Sequence, residues 1–318
     1  MNRSAYVIAA GLVFVFIIGL MLFVFRIYDF PMSGIFNSST VVEQGDTVRV
    51  CENLTYGNRT RNLFDLYIPA GADKRKEHAL ILFLHGGSWT SGDKSSMVED
   101  CRYFAERGYV TATMNYSFLN MLAEDKVDFT TMLTEIATAL STIKGYAAAQ
   151  GVNISKAALA GYSAGAHLAL LYAYSMKELS PLPVLFVHSK AGPADFRTFS
   201  PSSPDVQDFM RNMGVANDEK SVQELLAGDE VVAMIKAVSP VFYVKEGAAV
   251  PAILSYGRVD SLVVWENVVS MMNALDDANV KYTLVEYPNS AHALDKDADS
   301  ERRSVDAMLD YAKKYFEY

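Results

Sequence analysis

Apolar and polar positions along the chain fall into two regimes joined by a short polar stretch. Ala5 to Phe25 carries no charge and is apolar on every side. At about 1.5 Å per residue it is long enough to cross a hydrocarbon layer of ~30 Å. It predicts a membrane anchor over residues 1–28. Leu22-Phe23-Val24-Phe25-Arg26 offers no small-residue cleavage site, so an uncleaved anchor is expected in preference to a removed signal segment. Arg3 and the free amine before the span, against Arg26 after it, tilt the charge argument slightly toward an extracytoplasmic domain. Residues 29–40, with Pro31, Gly34 and a Ser-Ser-Thr run, read as a linker.

From residue 41 the pattern becomes that of a folded unit. Val48 to Val50 and Leu63 to Ile68 predict short strands, the second closed by Pro69. Leu80 to Leu84 and Val110 to Met114 are continuous apolar runs of the kind buried on both faces of a parallel sheet. A helix is predicted between them over Ser95 to Arg107. Another follows over Thr130 to Gln150, where Met132, Ile136, Ala139, Leu140, Ile143 and Ala147 recur at helical spacing. Strands are then expected at Ala157–Ala160, Val184–Val187, Ile253–Tyr256 and Tyr282–Tyr287, and helices at Trp265–Asp277 and Arg303–Tyr315. This alternation predicts an α/β fold with a mostly parallel central sheet and helices on both faces. Residues 195 to about 250 break the rhythm, with a helical stretch near Glu219 to Ala227. Roughly 50 residues bury little core unaided, so they read as a cap inserted into one domain spanning 41–318.

Composition narrows the function. The net charge of -9 and the absence of clustered Lys and Arg argue against a nucleic-acid partner. Cys51 and Cys101 stand in no metal-binding spacing. Two readings stay open for them: one disulfide if the domain is exported, or two separate thiols.

The chemistry concentrates in two turns. Gly161-Tyr162-Ser163-Ala164-Gly165 follows the strand Ala157–Ala160 and precedes the helix-compatible Ala166 to Leu171. A G-x-S-x-G run between strand and helix presents its serine on a strained turn, with glycines keeping side chains clear. Ser163 is therefore the candidate nucleophile. His85-Gly86-Gly87-Ser88-Trp89 follows the strand Leu80–Leu84, where small residues let backbone amides approach a developing oxyanion. Gly87, Ser88 and Ala164 are the expected donors. Trp89 and Tyr162, flanking these turns, are the candidate substrate-binding side chains.

Together the two turns, continued by Ala166-His167-Leu168-Ala169, resemble the hormone-sensitive-lipase-like and feruloyl/acetylxylan-esterase-like (BD-FAE-like) branch of the α/β-hydrolases. The resemblance runs from about Leu63 to the carboxyl end and includes Ser239-Pro240. It implies an α/β-hydrolase fold and a serine carboxylesterase needing no cofactor, with a small ester or an acetylated or feruloylated saccharide as substrate. Ser88 stands where many relatives have a third glycine, which puts a hydroxyl near the acyl group. The family's order of nucleophile, acid and base selects Asp260, in the loop after the strand Ile253–Tyr256, and His292, after the strand Tyr282–Tyr287. His188 and Asp195 are the best rivals for base and acid; Asp195 lies before the presumed cap, and His188 has no preceding acid loop. Three other readings stand beside the esterase: an arylformamidase-like amidase, a prolyl-oligopeptidase-like peptidase, for whose extra propeller the chain has no room, and a non-catalytic scaffold on the same fold.

Overall fold

The computed structural model describes residues 42–44, 47–73, 75–120, 125–199, 229–247 and 250–316. The expected anchor, the linker and the helix near Glu219 to Ala227 lie outside them. No helix among the described residues is long and apolar enough to cross a membrane.

The described strands are β1 (Val42–Gln44), β2 (Val48–Thr55), β3 (Leu63–Pro69), β4 (Glu77–Leu84), β5 (Val110–Met114), β6 (Asn153–Tyr162), β7 (Val184–Lys190), β8 (Ala252–Gly257) and β9 (Tyr282–Tyr287). They form one sheet in the order β1-β2-β3-β5-β4-β6-β7-β8-β9. The pairings from β1 through β3 to β5 are antiparallel. Those from β5 through β4 to β9 are parallel. The described helices are α1 (Val98–Ala105), α2 (Phe129–Ala149), α3 (Ala164–Ser175), α4 (Asp229–Val238), α5 (Trp265–Asp277) and α6 (Ala298–Phe316).

The period of two along a strand explains why the central runs are apolar throughout. In β4, Leu80, Leu82 and Leu84 enter the core shared with α2, α3 and α5, while Ala79, Ile81 and Phe83 enter the core shared with α1 and α6. In β5 the second face carries Thr111 and Thr113, whose hydroxyls donate to the carbonyls of Cys101 and Lys94. That is why this run is less pure and still fully buried. Cys51 and Cys101 are free thiols, one in each core, which decides the question the sequence left open.

Several boundaries differ from the sequence pattern. The helix expected over Ser95 to Arg107 is a 3-10 turn, Lys94–Met97, followed by α1. Asp93 caps the turn by accepting from the Ser95 amide, and the chain leaves α1 through Gly108 at φ 95°. The closing helix begins at Ala298, before the expected Arg303, because the residue its first turn buries is the polar Ser300, which leaves no apolar stripe to mark it. β1 has too few residues for periodicity to mark it.

Lys94 is buried at 7% exposure, and its ammonium meets Asp65 Oδ2 at 2.6 Å, with Asp65 itself 3% exposed. Removing one partner of such a pair leaves a buried charge uncompensated, at a cost of about 3–5 kcal/mol. Lys94→Met is expected to lower the melting temperature by on the order of 10 °C. Adding Asp65→Leu to the same chain should recover much of that loss. A thermal melt unchanged by Lys94→Met would show the pair to be energetically idle.

Candidate active site

The elbow follows from close packing between a strand and the helix it feeds. β6 ends at Tyr162, Ser163 sits at φ 51° and ψ -119°, and α3 starts at Ala164. A Cβ on Gly161 would lie 2.5 Å from the Gly165 carbonyl carbon, and one on Gly165 would lie 2.1 Å from the Leu84 oxygen. Only glycines permit this approach, and the crowding holds Ser163 in a left-handed conformation that an L-residue otherwise avoids. The Ser163 amide donates to Lys190 O at 2.8 Å, fixing the turn to β7.

Two loops at the carboxyl ends of β8 and β9 converge on this serine. His292 Nε2 lies 2.8 Å from Ser163 Oγ, and His292 Nδ1 lies 2.8 Å from Asp260 Oδ2. Asp260 Oδ1 accepts from the amides of Leu262 and Val263 at 2.8 and 3.0 Å. With Oδ1 occupied, Oδ2 is left for the Nδ1–H of His292, so the lone pair of Nε2 faces the Ser163 hydroxyl. The Asp260 side chain is fully buried, and that of His292 is 20% exposed. The two loops are tied together, since the amides of Arg258 and Val259 donate to the carbonyls of Tyr287 and Ser290. The arrangement can pull a proton from a serine hydroxyl and stabilise the imidazolium that results.

The His-Gly-Gly turn abuts the elbow: a Cβ on Gly86 would lie 3.3 Å from that of Ser163. Gly87, Ser88 and Trp89 all have positive φ, at 119°, 49° and 61°. Among the described residues no hydrogen bond uses the amide of Gly87 or Ser88. Ala164 is the first residue of α3, where an amide has no intrahelical acceptor. All three expected donors are thus free to meet an anion.

The structure gives several residues contacts that the sequence did not show. Trp89, expected as a substrate-binding side chain, is 6% exposed and packs inward against Phe129, His167 and Phe196, with ring centroids 5.6, 5.2 and 5.8 Å away. Its indole is part of the core that lies between the sheet and α2, α3 and α5. Tyr162 donates its hydroxyl to the carbonyl of His292 at 2.9 Å, tying the elbow to the base loop. Its ring borders a hollow of about 360 Å³ behind that loop, with Lys190, Leu294 and Glu301. The rivals fall away by position. His188 is enclosed by Ser255, Ser304 and Met308, and burial pushes its imidazolium down to about 3. Asp195 binds Arg197 and Ser270.

Sequence reasoning missed the support of the His-Gly-Gly turn. Arg61 donates to the carbonyls of Tyr116 and Gly92, both at 2.9 Å, and reaches His85 Nε2 at 3.4 Å. His85 stacks on Tyr116 at 4.3 Å and donates from Nδ1 to Gly86 O at 2.7 Å. Burial lowers its pKa to about 4, keeping it neutral. Arg61 sits in a polar turn, Gly57 to Asn62, that shows no period and no motif, so no sequence signal marked it.

A family model described as BD-FAE matches residues 64–275. A probable isoprenylcysteine alpha-carbonyl methylesterase from Oryza sativa subsp. japonica is 32% identical over 122 residues, 38% of this chain and 28% of that protein. The isoprenylcysteine alpha-carbonyl methylesterase of Arabidopsis thaliana is 25% identical over 259 residues, 77% of this chain and 56% of that protein. The chain therefore spans less than two thirds of the length of either relative. Among solved structures, esterase B of Lactobacillus rhamnosis superposes with a TM-score of 0.64 at 21% identity, over 84% of this chain and 85% of that one, a likeness of fold.

Proposed function

The chain belongs to the BD-FAE family and has the α/β-hydrolase fold, and from that premise we propose that it is a serine carboxylic-ester hydrolase. The observation that carries this reading is the hydrogen-bonded series Asp260, His292, Ser163, with both links at 2.8 Å, on an elbow whose serine has φ 51°. Ser163 Oγ attacks the ester carbonyl while His292 Nε2 takes its proton. The amides of Gly87, Ser88 and Ala164 bind the oxyanion, a contribution of several kcal/mol. His292 then returns the proton to the leaving alcohol, leaving an acyl-Ser163 ester that water hydrolyses by the same steps in reverse.

Short-acyl esters are the proposed substrates, including acetylated or feruloylated saccharides. The names of the plant relatives add methyl esters of lipidated cysteine to that class. Residues 1–28 are proposed to anchor the enzyme in a membrane with the catalytic domain outside the cytoplasm, a reading supported by the uncharged Ala5 to Phe25.

Turnover by the detergent-solubilised full chain should be measured on p-nitrophenyl esters from acetate to laurate, an acetylated xylo-oligosaccharide, a farnesylcysteine methyl ester and an aryl formamide. Hydrolysis falling with acyl length beyond butyrate is the expected result. Turnover of the formamide alone would replace the ester reading with an amidase, and no turnover of any of them would favour a silent scaffold. Release of the chain from membranes by alkaline carbonate without detergent would overturn the anchor.

A further inference from the structure

We propose that His167 is a positioning residue that transmits the seating of the cap's returning helix to the oxyanion turn. The inference rests on the esterase reading for its catalytic consequence and on geometry alone for the linkage.

Three parts of the site meet at this residue. It lies one helical turn beyond the nucleophile, its amide donating to Ser163 O at 3.0 Å. Its Nδ1 is 3.1 Å from the indole Nε1 of Trp89, which directly follows the proposed donors Gly87 and Ser88. Its Nε2 is 2.8 Å from the carbonyl of Val238, the last residue of α4. The tautomer follows from the partners. An indole nitrogen only donates and a carbonyl only accepts, so Nδ1 accepts from Trp89 and the Nε2–H donates to Val238. Both bonds are satisfied only by the neutral ring, and burial holds it neutral by lowering its pKa to about 4.

The far end of the relay is registered on the core. Ser239 is fully buried, accepts from the Phe196 amide at 2.9 Å and donates to Ile235 O at 2.7 Å. The Val241 amide donates to Ala194 O at 3.2 Å. Where α4 ends therefore decides where Val238 O sits, and that oxygen orients the imidazole that grips Trp89. The near end needs such a grip, because Gly87, Ser88 and Trp89 hold three consecutive positive φ values. Strained backbone persists only where its surroundings over-determine it.

The test uses the full chain in detergent. Labelling tryptophan with ¹⁵N gives two indole resonances, from Trp89 and Trp265, which Trp265→Phe distinguishes. His167→Leu keeps most of the bulk and removes both bonds. It is expected to shift the Trp89 indole resonance, speed its hydrogen exchange, and lower kcat for p-nitrophenyl acetate by about 10–100-fold with KM within about twofold. His167→Gln, which offers an acceptor and a donor at similar reach, should recover most of kcat. Ser239→Ala, which touches neither Trp89 nor Ser163, should also shift the Trp89 indole resonance and lower kcat by about fivefold, again with KM unchanged. An unaltered Trp89 resonance in Ser239→Ala, or full kcat in folded His167→Leu, overturns the proposal. If His167→Leu does not fold, the Gln and Ser239 variants decide. Were the wild-type chain inactive on every ester, the esterase reading would fail, and the indole resonance would still judge the linkage.

Discussion

Ser163→Ala is expected to lower kcat/KM for p-nitrophenyl acetate by about 10⁴-fold or more while leaving the fold intact. The hydroxyl makes no bond that holds the elbow together: its partner is His292 Nε2, and the turn is secured by the backbone bond from Ser163 to Lys190 and by the packing of Gly161 and Gly165. Alanine inherits the strain at φ 51°, so its melting temperature should match the wild type within a few degrees. Ser163→Gly should be equally inactive and more stable by about 1 kcal/mol, because glycine carries no penalty in the left-handed region. Kinetics and thermal melts of both variants check this. Activity within tenfold of wild type in the alanine variant would remove Ser163 as the nucleophile.

The second large effect is expected from Asp260→Asn, a loss of about 10³–10⁴-fold in kcat. The amides of Leu262 and Val263 both need an acceptor, and in the variant only the amide oxygen supplies one. The asparagine NH₂ must then face His292 Nδ1, which can no longer donate. The ring proton moves to Nε2, where it meets the Ser163 hydroxyl as a donor, and the base is lost while the loop keeps its shape. Asp195→Asn is the control. Its carboxylate serves Arg197 and Ser270 and touches neither His292 nor Ser163, so it should cost less than tenfold. The reverse ranking of the two variants would assign the acid to Asp195.

Much of the candidate site was legible in the sequence because its parts are local. A strand, a five-residue turn and a helix are adjacent along the chain, so Gly161 to Gly165 announces both the elbow and the reason for its glycines. Asp260 and His292 were recognisable as candidates because the family the turns resemble orders nucleophile, acid and base along the chain, and both residues fall in loops at the carboxyl ends of parallel strands. The roles of Trp89 and Tyr162 were not legible. A buried aromatic core residue and a pocket wall have the same composition, and only the packed structure shows the Trp89 indole enclosed by Phe129, His167 and Phe196.

What the sequence determined by itself is the parallel sheet and the candidates for the reacting groups, the first from periodicity, the second from two local turns and the chain order of the family they resemble. Tertiary structure alone decided which side chains hold those groups in place. Arg61 reaches Gly92 O across 31 residues, Tyr162 reaches His292 O across 130, and His167 reaches Val238 O across 71. Such bonds join elements that the sheet order brings together, so no pattern along the chain encodes them. Cys51 and Cys101 illustrate the same limit: their separation along the chain allowed a disulfide, and their burial in cores on opposite faces of the sheet excludes one.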